Sequence, residues 1–180
     1  MVSRGDATVP VWDIVVRGSH WAVAAFVFLD YWDDSGGPLH RSLGYAAAAV
    51  VLLRLLWAGV GSRHARFDDW WPTPSRLRRH LAALRAGQPS RHLGHNPLGA
   101  LMMLALWSLI LALAVTGWMS RLDAFWGDDA IKEVHAVLAD GLIALVTVHV
   151  AAALVMSRLQ RENLLLAMLT GRKRAARPER

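Results

Sequence analysis

The sequence predicts an all-α integral membrane protein, a four-helix bundle with its N- and C-termini in the cytoplasm. Apolar residues make up 54% of the 180-residue chain. They cluster in four stretches, each near the roughly 20 residues that a helix needs to cross a bilayer. No polar linker or internal repeat divides the chain, so residues 1–180 are expected to form a single domain. The expected spans are 14–32, 40–60, 97–119 and 132–156.

Charge is distributed unevenly between the loops of this predicted bundle. The net charge is +6, and arginine and lysine are concentrated in the loop 61–96 and in the tail from Ser157 onward. The positive-inside rule places such loops in the cytoplasm, so a multi-pass protein of the bacterial inner (plasma) membrane is expected. Topology and contact with membrane lipid explain the charge, which argues against nucleic acid as a partner. The other two loops are acidic and carry Asp30, Asp33, Asp34, Asp123, Asp128, Asp129 and Glu133.

Capping and turn residues indicate where the spanning helices begin and end. The first helix is expected to begin near Asp13, and the Gly-Gly-Pro turn at 36–38 interrupts helical order before the second. Asn96 followed by Pro97 is a favourable N-cap and first-turn pair for the third helix. The first apolar stretch lacks a small-residue cleavage site after it, so it is interpreted as a retained span and not a signal peptide.

The basic cytoplasmic loop 61–96 is expected to contain an interfacial helix at 75–86. Ser75 is the predicted N-cap and Gly87 the predicted stop. Leucines share one face of this segment while arginines lie mostly off it, a pattern typical of helices that lie on anionic headgroups. A basic solvated loop is the equally favoured alternative.

Histidines are the candidate metal ligands. The chain has no cysteine, which excludes iron–sulfur clusters, thiolate metal sites and covalent haem attachment. His135 and His149 are 14 residues apart on one predicted helix, so both face the same way at depths that differ by about 21 Å. One metal ion could not contact both, and two sites are therefore expected.

Helix direction gives each of these histidines a partner. His20 and His149 lie toward the cytoplasm and form the inner pair, whereas His40 and His135 lie toward the outer face and form the outer pair. Zinc would require more ligands than two imidazoles, but haem iron leaves two axial positions that two opposed histidines fill. The sequence thus predicts two non-covalent haem b groups, with His20 and His149 on the inner iron and His40 and His135 on the outer. The alternative is that the histidines only hydrogen-bond neighbouring helices.

Two arginines are candidate partners for the cofactor. Arg54 follows His40 by the same interval of 14 residues, so it shares that helix face at the depth of the inner pair. Arg54, together with Arg17, is expected to bind propionates of the inner haem by charge-assisted hydrogen bonds. Snorkelling to lipid headgroups is the alternative for both side chains.

Asp140 is the only carboxylate deep in a predicted span. It lies about 140° around the helix from His135, away from the haem face. A proton relay beside a quinone is one interpretation. A protonated partner for a polar group on another helix is the favoured one.

At these residues the sequence resembles the bacterial cytochrome b561 and nickel–iron hydrogenase b-type cytochrome family. The likeness extends from Trp12 to about Arg172. The segments that carry it are WDIVVRGSHW (12–21), LHRSLGY (39–45), RLLWAGVGSRHARF (54–67), GHNPLGALM (94–102), VHAVLADGL (134–142) and HVAAALV (149–155).

The resemblance implies a four-helix bundle with two bis-histidine b haems, and the family's axial ligands fall on His20, His40, His135 and His149. It implies an electron-transfer protein, with quinol/quinone oxidoreduction as the candidate enzymatic role and ubiquinone or menaquinone as the candidate substrate. The expected function is electron transfer between the quinone pool and a redox partner at the outer face, a periplasmic c-type cytochrome being favoured by the acidic outer loops.

Two other functions compete with this expectation. The chain could be the membrane anchor and haem subunit of a larger oxidoreductase such as a hydrogenase. More remotely, it could be a haem-free transporter or scaffold that uses intramembrane histidines for protons or packing. Both a monomer and a homodimer fit the sequence.

Overall fold

The computed structural model describes residues 8–33, 35–88 and 92–175; the predicted acidic residue Asp34 lies outside them. Four long helices dominate the fold and are joined by shorter elements. The long helices are α1 (Ile14–Trp32), α2 (Pro38–Val60), α5 (Pro97–Met119) and α6 (Asp129–Leu159). The shorter elements are β1 (Thr8–Pro10), α3 (Phe67–Trp70), α4 (Pro74–Arg85), α7 (Leu164–Thr170) and β2 (Arg172–Arg174).

Three helices of the described residues are long and apolar enough to cross a membrane, namely α2, α5 and α6. This pattern identifies a membrane protein. The 19-residue α1 is not among the three, because Arg17, His20 and Asp30 interrupt its apolar surface. The count of four membrane-crossing helices therefore remains a prediction for α1.

The long helices pack in chain order. Close backbone packing joins α1 to α2, α2 to α5 and α5 to α6. Ala47 and Val51 of α2, Ile110 of α5 and Leu142 of α6 form the buried centre of the bundle. Small side chains such as Ala47 let membrane helices approach closely, so α2 and α5 form the central seam.

The two ends of the bundle differ in structure. The basic end comprises residues 8–13, 61–88, 92–96 and 160–175, and the acidic end comprises the α1–α2 loop and residues 120–128. At the basic end β1 pairs antiparallel with β2, and the amides of Val11 and Trp12 donate to the carbonyl of Gly171 at 2.8 and 3.1 Å. The first and last described segments of the chain therefore lie together.

Asp13 joins α1 to the rest of the basic end. Its carboxylate caps α1 by accepting from the amide of Val16 at 2.8 Å. The same side chain accepts from Trp57 Nε1 at 3.0 Å and from Ser62 Oγ at 2.5 Å. Burial raises the pKa of Asp13, but these hydrogen bonds outweigh burial and leave the pKa below its ordinary value.

The predicted helix in the basic loop corresponds to α4, with a different cap. Thr73 and not Ser75 is the N-cap, since its hydroxyl accepts from the amide of Arg76 at 3.3 Å. Pro74 then occupies the first helical position, where a missing amide hydrogen costs nothing. Gly87 follows the helix with φ +67°, as expected of a helix stop.

Candidate functional site

The inner pair joins α1 to α6. The ring centres of His20 and His149 are 6.3 Å apart and their planes are inclined by 47°. Nδ1 of His20 is buried and has no hydrogen-bond partner in the described part of the chain. The two rings therefore oppose each other with little to fix the orientation of His20.

The outer pair joins α2 to α6 and is held more firmly. The ring centres of His40 and His135 are 6.2 Å apart. Nδ1 of His40 lies 2.8 Å from the carbonyl oxygen of Asp33, and a carbonyl can only accept. His40 therefore carries its hydrogen on Nδ1, which leaves the lone pair of Nε2 free for a metal.

Thr116 orients the second ring of the outer pair. Its Oγ1 lies 2.8 Å from Nδ1 of His135 and 3.0 Å from the carbonyl oxygen of Ala112. Because the hydroxyl donates its hydrogen to Ala112, it accepts the Nδ1 hydrogen of His135. Nε2 is again the free nitrogen, as in metal sites whose second ring nitrogen is anchored.

Both pairs have the spacing that a bis-imidazole metal requires. Metal–imidazole bonds of about 2 Å on opposite sides of one ion place the two ring centres about 6 Å apart. Within the described ranges no group of three or more His, Cys, Asp or Glu side chains could hold a metal ion. Two imidazoles alone suit an iron whose other four ligands belong to a porphyrin, so the residues present fit haem.

A pocket lies beside the outer pair. Its volume is about 110 Å³ and its lining includes His40, His135, Gly44 and Gly117. A Cβ on Gly117 would lie 3.4 Å from Cε1 of His135. Glycine at this position keeps that side of the ring open.

The two arginines predicted to bind propionates have backbone partners. Arg54 is 4% exposed, and its Nη1 and Nη2 donate to the carbonyl of Ala65 at 3.3 and 3.4 Å. Arg17 donates through Nη1 to the carbonyl of Leu169 at 2.5 Å. Both arginines thus bind the polypeptide of the basic end, on the side of the inner pair.

Two residues at the basic end were not predicted from the sequence to belong to the site. His95 packs against Trp12 and Trp70, with ring centres 4.6 and 5.9 Å apart. Lys173 is 5% exposed and donates to the carbonyl of Leu93 at 2.6 Å. Burial, and then the charges of Arg54 and Lys173, lower the pKa of His95 to about 3, so its ring is neutral. The motif GHNPLGALM contains His95, but its spacing alone could not reveal these neighbours.

Asp140 does not have the partner that the favoured interpretation required. Its side chain is exposed on α6, and no hydrogen bond or ion pair joins it to another described residue. Among the described residues Asp140 therefore has no polar partner on another helix, because α6 turns this face away from its neighbours.

Comparisons with known proteins identify the family. A family model described as prokaryotic cytochrome b561 matches residues 11–171. A probable Ni/Fe-hydrogenase B-type cytochrome subunit of Bradyrhizobium diazoefficiens is 27% identical, over 94% of this chain and 87% of that protein. A protein of the same description from Azotobacter vinelandii is 28% identical over 73% of this chain.

The match with the Azotobacter protein spans 65% of its length, slightly less than two thirds. No solved structure shows a significant match. The family model covers nearly the whole chain, and the resemblance inferred from the sequence is confirmed. The chain belongs to the prokaryotic cytochrome b561 family and is a b-type cytochrome of membrane electron transfer.

Proposed function

We propose that the chain is a di-haem cytochrome that carries electrons between the two faces of the membrane. The observation that supports this most is the occurrence of two opposed histidine pairs, with ring centres 6.3 and 6.2 Å apart, at two depths along α6. His20 with His149 would hold one haem b, and His40 with His135 the other. Bound haem supplies one-electron chemistry, and filled axial positions favour electron transfer over oxygen binding.

The protein's own contribution is orientation and exclusion of water. The carbonyl of Asp33 and the hydroxyl of Thr116 fix the tautomers of the outer pair, so that Nε2 of each ring keeps a lone pair that could bind the iron of a haem. Apolar side chains of all four long helices line the adjoining pocket. Such a lining controls solvent access and thereby the redox potential.

We place the basic end in the cytoplasm of a bacterial inner membrane, with α1 as the fourth span. The basic loop and the first and last described segments lie at this end, and the arginine and lysine excess there follows the positive-inside rule. The family and the three apolar helices support the membrane assignment. Close packing of α1 along α2 supports the fourth span.

The relatives favour a subunit role over a free-standing cytochrome. Those from Bradyrhizobium diazoefficiens and Azotobacter vinelandii are named as cytochrome subunits of Ni/Fe hydrogenases. We therefore propose that this chain is the haem-carrying membrane subunit of a larger oxidoreductase of that kind, exchanging electrons with membrane quinone. The acidic end favours a second candidate, a basic c-type cytochrome, because exposed Asp123, Asp128 and Asp129 would attract it.

Haem stoichiometry tests the proposal. The purified protein should show low-spin b-type bands in a reduced-minus-oxidised spectrum and two haems per chain by pyridine haemochrome. Single alanine substitutions at His20, His40, His135 and His149 should each remove one haem, whereas the control His64→Ala, outside both pairs, should keep two. Colourless protein from haem-replete cells would contradict the proposal and favour the haem-free transporter or scaffold.

The partner is tested by purification from native membranes in mild detergent. Recovery of a stoichiometric oxidoreductase subunit supports the subunit role. An isolated cytochrome that a basic c-type cytochrome oxidises rapidly, at a rate that falls steeply with salt, would support the second candidate instead.

A further inference from the structure

A carboxylate accompanies the outer pair. Oδ1 of Asp30, near the end of α1, lies 3.1 Å from Nδ1 of His40, and the two side chains are 23% and 24% exposed. The hydrogen of Nδ1 is directed to the carbonyl of Asp33 at 2.8 Å, so Asp30 acts on the ring chiefly through its charge. Gly44 faces this carboxylate, and a Cβ there would make an ordinary van der Waals contact with Oδ2 of Asp30 at 3.6 Å.

The inner pair has no comparable carboxylate contact among the described residues. Within the described residues no ion pair joins a carboxylate to His20 or His149, and Nδ1 of His20 has no hydrogen-bond partner. The buried charges at that end of the bundle are the cations Arg54 and Lys173, 4% and 5% exposed, and the carboxylate of Glu162, 7% exposed. Partly desolvated charges act over longer distances than exposed ones.

This difference bears on the two redox potentials. Oxidation of a haem iron from the ferrous to the ferric state removes one electron and adds one positive charge at the metal. A nearby carboxylate stabilises the ferric form and lowers the midpoint potential, whereas a nearby cation stabilises the ferrous form and raises it. A charge that contacts the second nitrogen of an axial imidazole also makes that ligand more basic, which acts in the same direction.

From this arrangement, and resting on the proposed two-haem function, we propose that Asp30 sets the potential of the outer haem below that of the inner haem. Asp30 is then a positioning and tuning residue that acts through His40. Electron transfer runs downhill from the outer haem to the inner haem, so the donor at the acidic end is the stronger reductant and the acceptor lies toward the basic end.

The experiment is a spectroscopic redox titration of the full-length detergent-purified protein. His20→Ala leaves the outer haem alone and His40→Ala leaves the inner haem alone, which assigns the two wild-type potentials. Asp30→Asn, which keeps the shape and removes the charge, should raise the outer potential. The expected change is at least tenfold in the reduced-to-oxidised ratio at a fixed potential, or about 59 mV for one electron.

Controls separate a local charge effect from a general one. Asp123→Asn removes an exposed carboxylate of the acidic end that contacts neither pair and should leave both potentials nearly unchanged. Asp30→Glu keeps the charge and should stay near the wild-type potential. The inner potential should not move in any of the three variants.

Two results would overturn the inference while leaving two haems per chain intact. One is an outer potential that Asp30→Asn shifts no more than Asp123→Asn does. The other, measured without any change at Asp30, is an outer haem whose potential lies above that of the inner haem. A wild-type protein with fewer than two haems would instead overturn the proposed function, and this inference with it.

Discussion

The acidic and basic ends of the bundle orient their histidine pairs in different ways. At the acidic end, Asp33 and His40 are seven residues apart and Thr116 and His135 are nineteen apart. At the basic end, the hydrogen bonds near the inner pair join distant parts of the chain, such as Arg17 with Leu169, 152 residues away. Contacts between neighbouring elements of the chain orient the outer pair. Contacts between the first and last described segments support the region of the inner pair.

Because of this difference, we expect that a substitution can disturb one histidine pair without disturbing the other. Loosening the contact between the terminal segments should disturb the inner pair and spare the outer one, because the hydrogen bonds of His40 and His135 do not involve the basic end. The acidic end offers a matched position for each change at the basic end, so the comparison can be tested directly.

Gly171→Ala should have the largest effect. Gly171 has φ +78°, and a Cβ there would lie 2.5 Å from the carbonyl oxygen of Trp12. The left-handed conformation alone costs a non-glycine residue about 1–2 kcal/mol, and the clash adds to it by opening the β1–β2 contact. We expect a lower thermal stability and preferential loss of the inner haem, measured by melting followed at the Soret band and by haem content.

Gly127→Ala is the matched control at the acidic end. Gly127 has φ +80°, but no atom lies within 4 Å of the position that a Cβ would occupy, so only the conformational cost remains. Equal loss of stability in the two variants would show that the β1–β2 contact at the basic end contributes little to the stability of the protein.

Asp13→Ala should have the next largest effect. It removes the N-cap of α1, which is worth about 0.5–2 kcal/mol, together with the hydrogen bonds from Trp57 and Ser62. Asp128→Ala is the matched change, since Asp128 caps α6 through the amide of Ala130 at 2.8 Å and is otherwise exposed. The melting temperature should fall more for Asp13→Ala, and a larger fall for Asp128→Ala would contradict the comparison.

The same carboxylate predicts a pH dependence. The pKa of Asp13 in the folded protein lies below its ordinary value of 3.8. Its contribution to stability is therefore complete above that value and is lost as the pH falls through the lower, folded-state pKa. Melting temperatures measured across this acidic range should decline less steeply for Asp13→Asn than for the wild type.

Helix periodicity explains how much of the site could be predicted. An interval of 14 residues fixes the relative depth and direction of His135 and His149 on any regular helix, and alternating helix direction then supplies His20 and His40 as partners. The structure brings these rings to 6.3 and 6.2 Å. No contact between helices needs to be known for this step.

The remaining features depend on which helix faces meet. No sequence signal assigns Thr116 to His135 or Lys173 to the surroundings of His95. These contacts join separate elements, and the spacing of residues within one element does not predict them. The sequence likewise does not show that Asp140 lies on the exposed face of α6, and a polar neighbour was therefore expected for it. At α4, Thr73 and Ser75 both suit an N-cap, and Pro74 between them decides for Thr73, because proline is favoured at the first helical position.

Thr116→Val should have the smallest effect and is confined to the acidic end. Valine keeps the shape of threonine but removes the hydroxyl that accepts from Nδ1 of His135. Loss of such a partner weakens metal binding by about 10–100-fold, and the smaller value is expected here because His40 keeps its own bond to Asp33. Haem titration of the apoprotein should show weaker binding at the outer site alone. Thr147→Val removes a hydroxyl that donates to the carbonyl of Ile143 within α6, and this variant should bind both haems normally. Weaker binding at the inner site in Thr116→Val would mean that the two ends are coupled through α6.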